Sequence, residues 1–309
     1  MSGTGLDVLV AGLFDYAGMF PPAALSFDDA LRESAGLPHT LRRPDMIGAD
    51  MVLTPEDLQR LDDDALRAAG YPEGRNCRIA VVGLRAGPGL LEDVQALRDR
   101  DRERAGDRAP QKIHAVEASL PADADPRAMQ ASLQEARDVL RSQRIRLYLE
   151  PRWTADAWAD RGDAFLASVL DLHDGSLGLK LRCDGPTAVD AATLARAIGW
   201  ACEHGVPLKA TQGLHHPLRE PRRYGNLHGF LNTAAALRLC QGGAIRADQV
   251  LRVLEEDDAD AYGFADGLSW RGAGIGEDDL ETAVRRLPFS IGSCSAREPD
   301  DDLVRLFGG

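Results

Sequence analysis

The chain has 309 residues, 44% hydrophobic and 28% charged, which supports one large domain or two ordinary ones with an ample core. Its formal net charge of −13 and pI near 5.0 argue against a nucleic-acid or anionic-membrane partner, since either calls for clustered cations. Only three of the 36 basic residues are lysines, Lys112, Lys180 and Lys209, so each is a candidate for a task arginine cannot do, such as giving up its proton.

The N-terminal MSGTGLDVLVAGLFDYAG has no cationic leader ahead of an apolar stretch and cleavage site. No run approaches the length of a membrane span. The expectation is a cytoplasmic protein. Cys77, Cys183, Cys202, Cys240 and Cys294 are odd in number, widely spread and without a CxxC pair, as expected of reduced thiols.

Short apolar runs at 13–16, 49–53, 78–84, 113–117, 145–150, 178–183, 207–211 and 289–293 read as eight strands. Helical patterns lie between them at 27–35, 55–69, 90–104, 126–142, 164–172, 189–203 and 229–239, with a last one after Pro299. The charged stretch 98–108 reads as a solvated helix end. Strand and helix alternating eight times predict a parallel sheet closed into a (β/α)8 TIM barrel. An open doubly wound sheet is the alternative, but no GxGxxG follows the first strand. A single domain over 1–309 is expected, with a helical insertion at 214–288 between strands seven and eight. That insertion, opening with GLHHPLREPRRYGNLHGF and carrying helical patterns at 246–256 and 277–286, is read as a lid or an oligomer contact.

Strand parity selects the site. In GLKLRC the leucines alternate with Lys180 and Arg182, and in IRLYLE the apolar residues alternate with Tyr148 and Glu150. Lys209 and Thr211 share a face in the next strand. With the apolar set facing the helices, these polar residues point into the barrel, and Glu150, Arg182 and Thr211 fall at carboxyl ends, where such barrels place their active sites. A buried lysine beside a second cation can present a neutral amine at pH 7, the nucleophile that forms a Schiff base with a carbonyl.

Five strand motifs resemble the class I aldolases typified by deoxyribose-phosphate aldolase: Asp15-Tyr16-Ala17, LYLE ending at Glu150, KLRCDG from Lys180, KATQG from Lys209, and IGSCS through Ser293 and Ser295. The resemblance implies a (β/α)8 lyase in which Lys180 forms the Schiff base and Lys209 tunes it. It places His114 by register where the family carries its strand-four acid, with Glu117 further along, and His215 and His216 in the family's phosphate loop. Glu150, His114 and Asp15 are the candidates for proton transfer. Arg182, Thr211, Tyr148, His215, His216, Ser293 and Ser295 are the candidate substrate contacts. DYAGMFPPA, KLRCDG, KATQGLHHP and GSCS together also resemble a bacterial family sharing these motifs, which implies no activity.

The leading expectation is thus an aldolase-like lyase, without cofactor, acting on a small carbonyl compound that carries an anionic group. A metal-dependent barrel enzyme holding a divalent ion through His215, His216, His228 and Glu150 is the alternative. A non-catalytic binder of a small anionic metabolite is the second alternative. Cys294 between two serines reads as a packing residue more readily than as a thiolate nucleophile. No nucleic acid or membrane is expected as partner, and a homo-oligomer is open.

Overall fold

The computed structural model describes residues 4–104, 111–121, 127–220 and 228–308. Its strands are β1 Phe14–Tyr16, β2 Ile47–Ala49, β3 Met51–Leu53, β4 Cys77–Arg85, β5 Gln111–Leu120, β6 Arg146–Pro151, β7 Leu177–Arg182, β8 Leu208–Thr211, β9 Tyr262–Gly263, β10 Gly267–Trp270, β11 Ala273–Gly276 and β12 Phe289–Ser293. Nine of them form one sheet in the order β2-β1-β12-β8-β7-β6-β5-β4-β3, with every pairing parallel.

Only Asp50 separates the two outermost members, β2 and β3. They are halves of a single strand position: β2 pairs with β1 and β3 with β4, so the ribbon closes into an eight-position barrel. The interruption is held by Asp50 itself. Its N–H donates to the Arg78 carbonyl at 2.9 Å. Its buried carboxylate accepts from Arg75 at 2.6 Å and from the Arg78 N–H at 2.8 Å. The fold is therefore the (β/α)8 TIM barrel that the alternating pattern predicts.

The two faces of the strands build two cores. Leu147, Leu149, Leu179 and Leu181 point outward and pack with the helices in the main core. Inside the barrel lies a separate cluster of small residues around one aromatic: Ala17, Ala49, Val52, Ala80, Ala115 and Tyr148. All eight expected strands are present. The helix expected over 55–69 is two, Pro55–Arg60 and Asp63–Ala69, because the Asp62 carboxylate accepts the Ala65 N–H at 2.8 Å and caps a new start.

The segment between β8 and β12 departs from the helix-only expectation. Helix Phe230–Gln241, buried from Phe230 to Leu239, packs on helix Ala191–His204, but β9, β10 and β11 then form an antiparallel sheet. That sheet and helix Glu277–Arg286 cover the short N-terminal helix Gly5–Val10, where the Gly5 N–H donates to Phe264 O at 3.0 Å. Residues 221–227 of the GLHHPLREPRRYGNLHGF loop and 105–108 of the charged stretch lie outside the described residues. Among the described residues no helix is long and apolar enough to cross a membrane.

Candidate active site

One irregularity in β5 aims the central carboxylate. Against β4, Ile113 faces Ile79 but Ala115 faces Ala80, which leaves His114 as the extra residue of a β-bulge. A bulge resets the alternation of side chains, so the inward position beyond it is Glu117 and not Val116. His114 is correspondingly displaced. Its imidazole stands 4.0 Å from Asp15 and is absent from the cavity wall, so the inward position on this strand expected of His114 is held by Glu117.

Register supplies the other members. Lys180 on β7 lies level with Lys209 on β8, and Lys209 lies level with Ser290 on β12. The inward side chains form a chain of alternating charge: Asp15, Lys209, Glu117, Lys180, Glu150, Arg182. Lys209 bonds the Asp15 carboxylate and lies 2.6 Å from the other side at Glu117 Oε1. Lys180 Nζ lies 2.5 Å from Glu117 Oε2 and 3.5 Å from Glu150 Oε2. Arg182 Nη1 donates to Glu150 Oε1 at 2.9 Å, and its Nε to Gln212 at 3.2 Å. Isolated charges at this depth would cost several kcal/mol each, and alternation offsets that cost.

Burial pushes the Asp15 and Glu117 carboxyls up, but the facing ammoniums outweigh it: Lys209 holds Asp15 below the usual carboxylate range, with His114 and the Ser290 hydroxyl helping, and Lys180 and Lys209 do the same for Glu117. Burial pulls the Lys209 ammonium down, while Asp15 and Glu117 raise it further, leaving it above its ordinary value. Burial lowers His114, with Asp15 opposing and Lys209, Arg78 and Arg146 reinforcing; the net shift is downward. Tyr148 is pushed up to about 12, chiefly by burial.

The chain of charges opens into a cavity of about 280 Å³ at the carboxyl ends of the strands. One wall is apolar: Ala17, Phe20 and Pro21 from the DYAGMFPPA loop, with Val52 and Val82. The opposite wall carries Glu117, Glu150, Lys180, Arg182, Lys209 and Arg152, the last lying 3.5 Å from Glu150. Thr211, His215, Ser293 and Cys294 complete the rim. With Asp15 behind Lys209 counted, four cations face three carboxylates, so the cavity is net positive in a strongly acidic protein.

Of the expected site residues, Lys180, Lys209, Glu150, Arg182, Thr211, His215 and Ser293 line this cavity, and Asp15 stands directly behind Lys209. Three expected substrate contacts are elsewhere. Tyr148 lies beneath the lysines, its ring centroid 6.0 Å from Lys209 Nζ; Gly178 makes room for it, since a Cβ there would lie 2.6 Å from the Tyr148 ring. His216 pairs with Asp302 at 2.7 Å off the cavity wall. Ser295 accepts the Glu298 N–H at 3.2 Å at the start of helix Arg297–Phe307. The metal alternative fares no better geometrically. His228 Nε2 faces the Val189 carbonyl at 2.8 Å, His216 is held by Asp302, and Glu150 is taken by Arg182, so the four named ligands do not converge. No other group of three or more His, Cys, Asp or Glu among the described residues is arranged to hold a metal.

Arg152 and Gln212 also line the cavity, beyond the residues that strand parity selects. Arg152 follows the LYLE strand by two residues, a position where the carboxyl-end rule applies, and Gln212 sits in a left-handed turn (φ 61°) with Gly213 (φ 72°) immediately after β8.

No family model matches the chain, and no curated protein matches its sequence. Solved structures similar to it include a xylose isomerase-like TIM barrel/4-hydroxyphenylpyruvate dioxygenase fusion protein, at 11% identity and a TM-score of 0.42 over 94% of this chain and 41% of that one. The chain thus spans about two fifths of the fusion protein's length. Another is the IolI protein with a bound zinc atom, at 10% identity and a TM-score of 0.38 over 96% of this chain and 100% of that one. Likeness at these scores carries no argument about chemistry, and the barrel rests on its own strand order.

Proposed function

We propose that the protein is an aldolase-like lyase that forms a Schiff base between Lys180 and a small carbonyl compound bearing a carboxylate. The observation that carries the reading is the buried lysine–carboxylate chain ending at the cavity. Lys180 can pass one ammonium proton to Glu117 along their 2.5 Å hydrogen bond; the freed lone pair adds to the carbonyl carbon, and Glu117 returns the proton to the carbinolamine hydroxyl, which leaves as water to give the iminium. Lys209, held by Asp15 and Glu117, keeps its charge and stabilises the Glu117 carboxylate when the proton moves on. Glu117 then removes a proton from the carbon next to the iminium and generates the enamine. The same constellation, two lysines on neighbouring strands with acids from the first and fourth barrel positions, supports the resemblance to the deoxyribose-phosphate aldolase type.

The substrate class follows from the walls. Arg182 and Arg152 offer guanidinium forks to a carboxylate, and Phe20, Pro21, Val52 and Val82 accept a short apolar portion. Borohydride trapping tests the assignment. Incubation with pyruvate, the smallest 2-oxo acid with an enolisable methyl group, followed by reduction should leave a mass adduct on Lys180, and Lys180→Arg should abolish it. An adduct only on Lys112, or turnover without any lysine adduct, overturns the reading. Thermal stabilisation by pyruvate with neither adduct nor turnover identifies a non-catalytic binder.

A further inference from the structure

The lysine wall accounts for chemistry at the donor carbon but leaves the oxygen of the second carbonyl without a proton source. Beside that wall on the rim, after the neighbouring strands β8 and β12, stands a cluster no part of that scheme uses. His215, three residues past the left-handed Gln212, lines the rim with 26% of its side chain exposed. Its Nδ1 lies 3.3 Å from Glu298 Oε2, on helix Arg297–Phe307, and 4.0 Å from the Cys294 thiol, which follows β12. Both protein partners address Nδ1, and among the described residues nothing bonds Nε2. A carboxylate engaging one ring nitrogen orients the imidazole and leaves the other free to exchange a proton with a ligand.

We propose that His215 is the acid–base residue at the hydroxyl oxygen of the bond-making and bond-breaking step, an assignment that rests on the Lys180 Schiff-base reading. In the addition direction the enamine carbon attacks an aldehyde carbon, and a C–C bond forms. The aldehyde π pair moves onto oxygen, which takes the proton from His215 Nε2. Water then hydrolyses the iminium and returns the Lys180 amine. In the cleavage direction neutral His215 removes the hydroxyl proton, the O–H pair becomes the C=O bond, and the C–C pair flows into the iminium to give the enamine. The groups around the ring favour its protonated form. The Cys294 hydrogen bond raises its proton affinity most, burial opposes, the Glu298 carboxylate reinforces, and neighbouring His216 opposes; the net shift is upward.

The two halves of the reaction are separable. Exchange of the pyruvate methyl protons in D2O, followed by NMR, reads Lys180 and Glu117 alone. Condensation of pyruvate with glycolaldehyde also needs the oxygen's proton. His215→Asn and His215→Gln should lose condensation by about a hundredfold or more, the usual share of a positioned acid–base group. Both should retain methyl exchange and the borohydride adduct on Lys180, which also certifies a folded site. Equal loss of exchange and condensation, or loss of neither in both variants, overturns the assignment. Absence of adduct and exchange in the unsubstituted protein instead overturns the Lys180 reading, and this one with it.

Discussion

Asp15 is fully buried, and its partner Lys209 is as deep, so their pairing governs stability as well as chemistry. Replacing Asp15 with alanine leaves Lys209 with Glu117 alone, and removal of one partner from a buried pair costs about 3–5 kcal/mol. The loss is read as a lower urea midpoint at unchanged slope. The same carboxyls set the acid limb. Asp15 and Glu117 have folded values below their unfolded ones, so their contribution is fully present above the ordinary carboxylate range, about 4, and is lost as pH falls through the lower folded values. Lys209, raised in the fold, contributes fully below its unfolded value of about 10.4 and loses that contribution only at higher pH. Melting temperature should therefore hold from neutrality down to the ordinary carboxylate range and then drop, and Asp15→Ala should flatten that drop. A drop already complete near pH 6 would contradict the depressed carboxyls. Residue by residue, the lysine face was legible because GLKLRC alternates without interruption, so parity alone orients Lys180 and Arg182. Parity does not single out Glu117, because KIHAVE alternates with its phase shifted by one at His114 and a bulge has no signature in a single apolar run.

At the scale of elements, β6 and β7 meet where Tyr148 crosses Gly178. A methyl group at 178 would lie 2.6 Å from the Tyr148 ring and 2.8 Å from the Pro207 carbonyl, so the ring and the backbone just ahead of β8 would both have to shift. Gly178→Ala should cost about 1–3 kcal/mol by overpacking. Part of that cost should vanish in a Tyr148→Leu background, because residues in contact are non-additive. A strictly additive double mutant, measured by urea denaturation, would show that the ring is not what Gly178 accommodates. This contact also explains why Tyr148 reads as a ligand from sequence: inward parity is correct, but height in the barrel depends on strand stagger, which parity does not encode. The β9–β11 sheet escaped notice for a different reason. Its strands are two to four residues long and rich in glycine, too short to display a period of two against the helical patterns on either side.

Across the whole molecule, the segment between β8 and β12 is tied into the barrel's outer layer. Helix Phe230–Gln241 is buried along most of its length, and Phe230 stacks edge-on against Phe14 of β1, ring centroids 5.2 Å apart. Its amides should exchange with solvent as slowly as those of β7, by global unfolding and not by local opening. Markedly faster exchange over 230–241 would mark an independently opening unit. The strand-helix alternation made the eightfold closure legible at this scale, whereas the partners of the inserted helix depend on contacts between distant parts of the chain. The seam of the barrel has a consequence for biosynthesis. The Asp15 carboxylate accepts the Ser290 hydroxyl across 275 residues of chain, and the Ala17 N–H reaches the Ser293 carbonyl. At about 5–20 residues per second of synthesis, β1 leaves the ribosome on the order of tens of seconds before β12 can join it. Throughout that interval an unpaired strand edge and an uncompensated aspartate are exposed, so the nascent chain carries the handle a chaperone recognises until its last strand arrives.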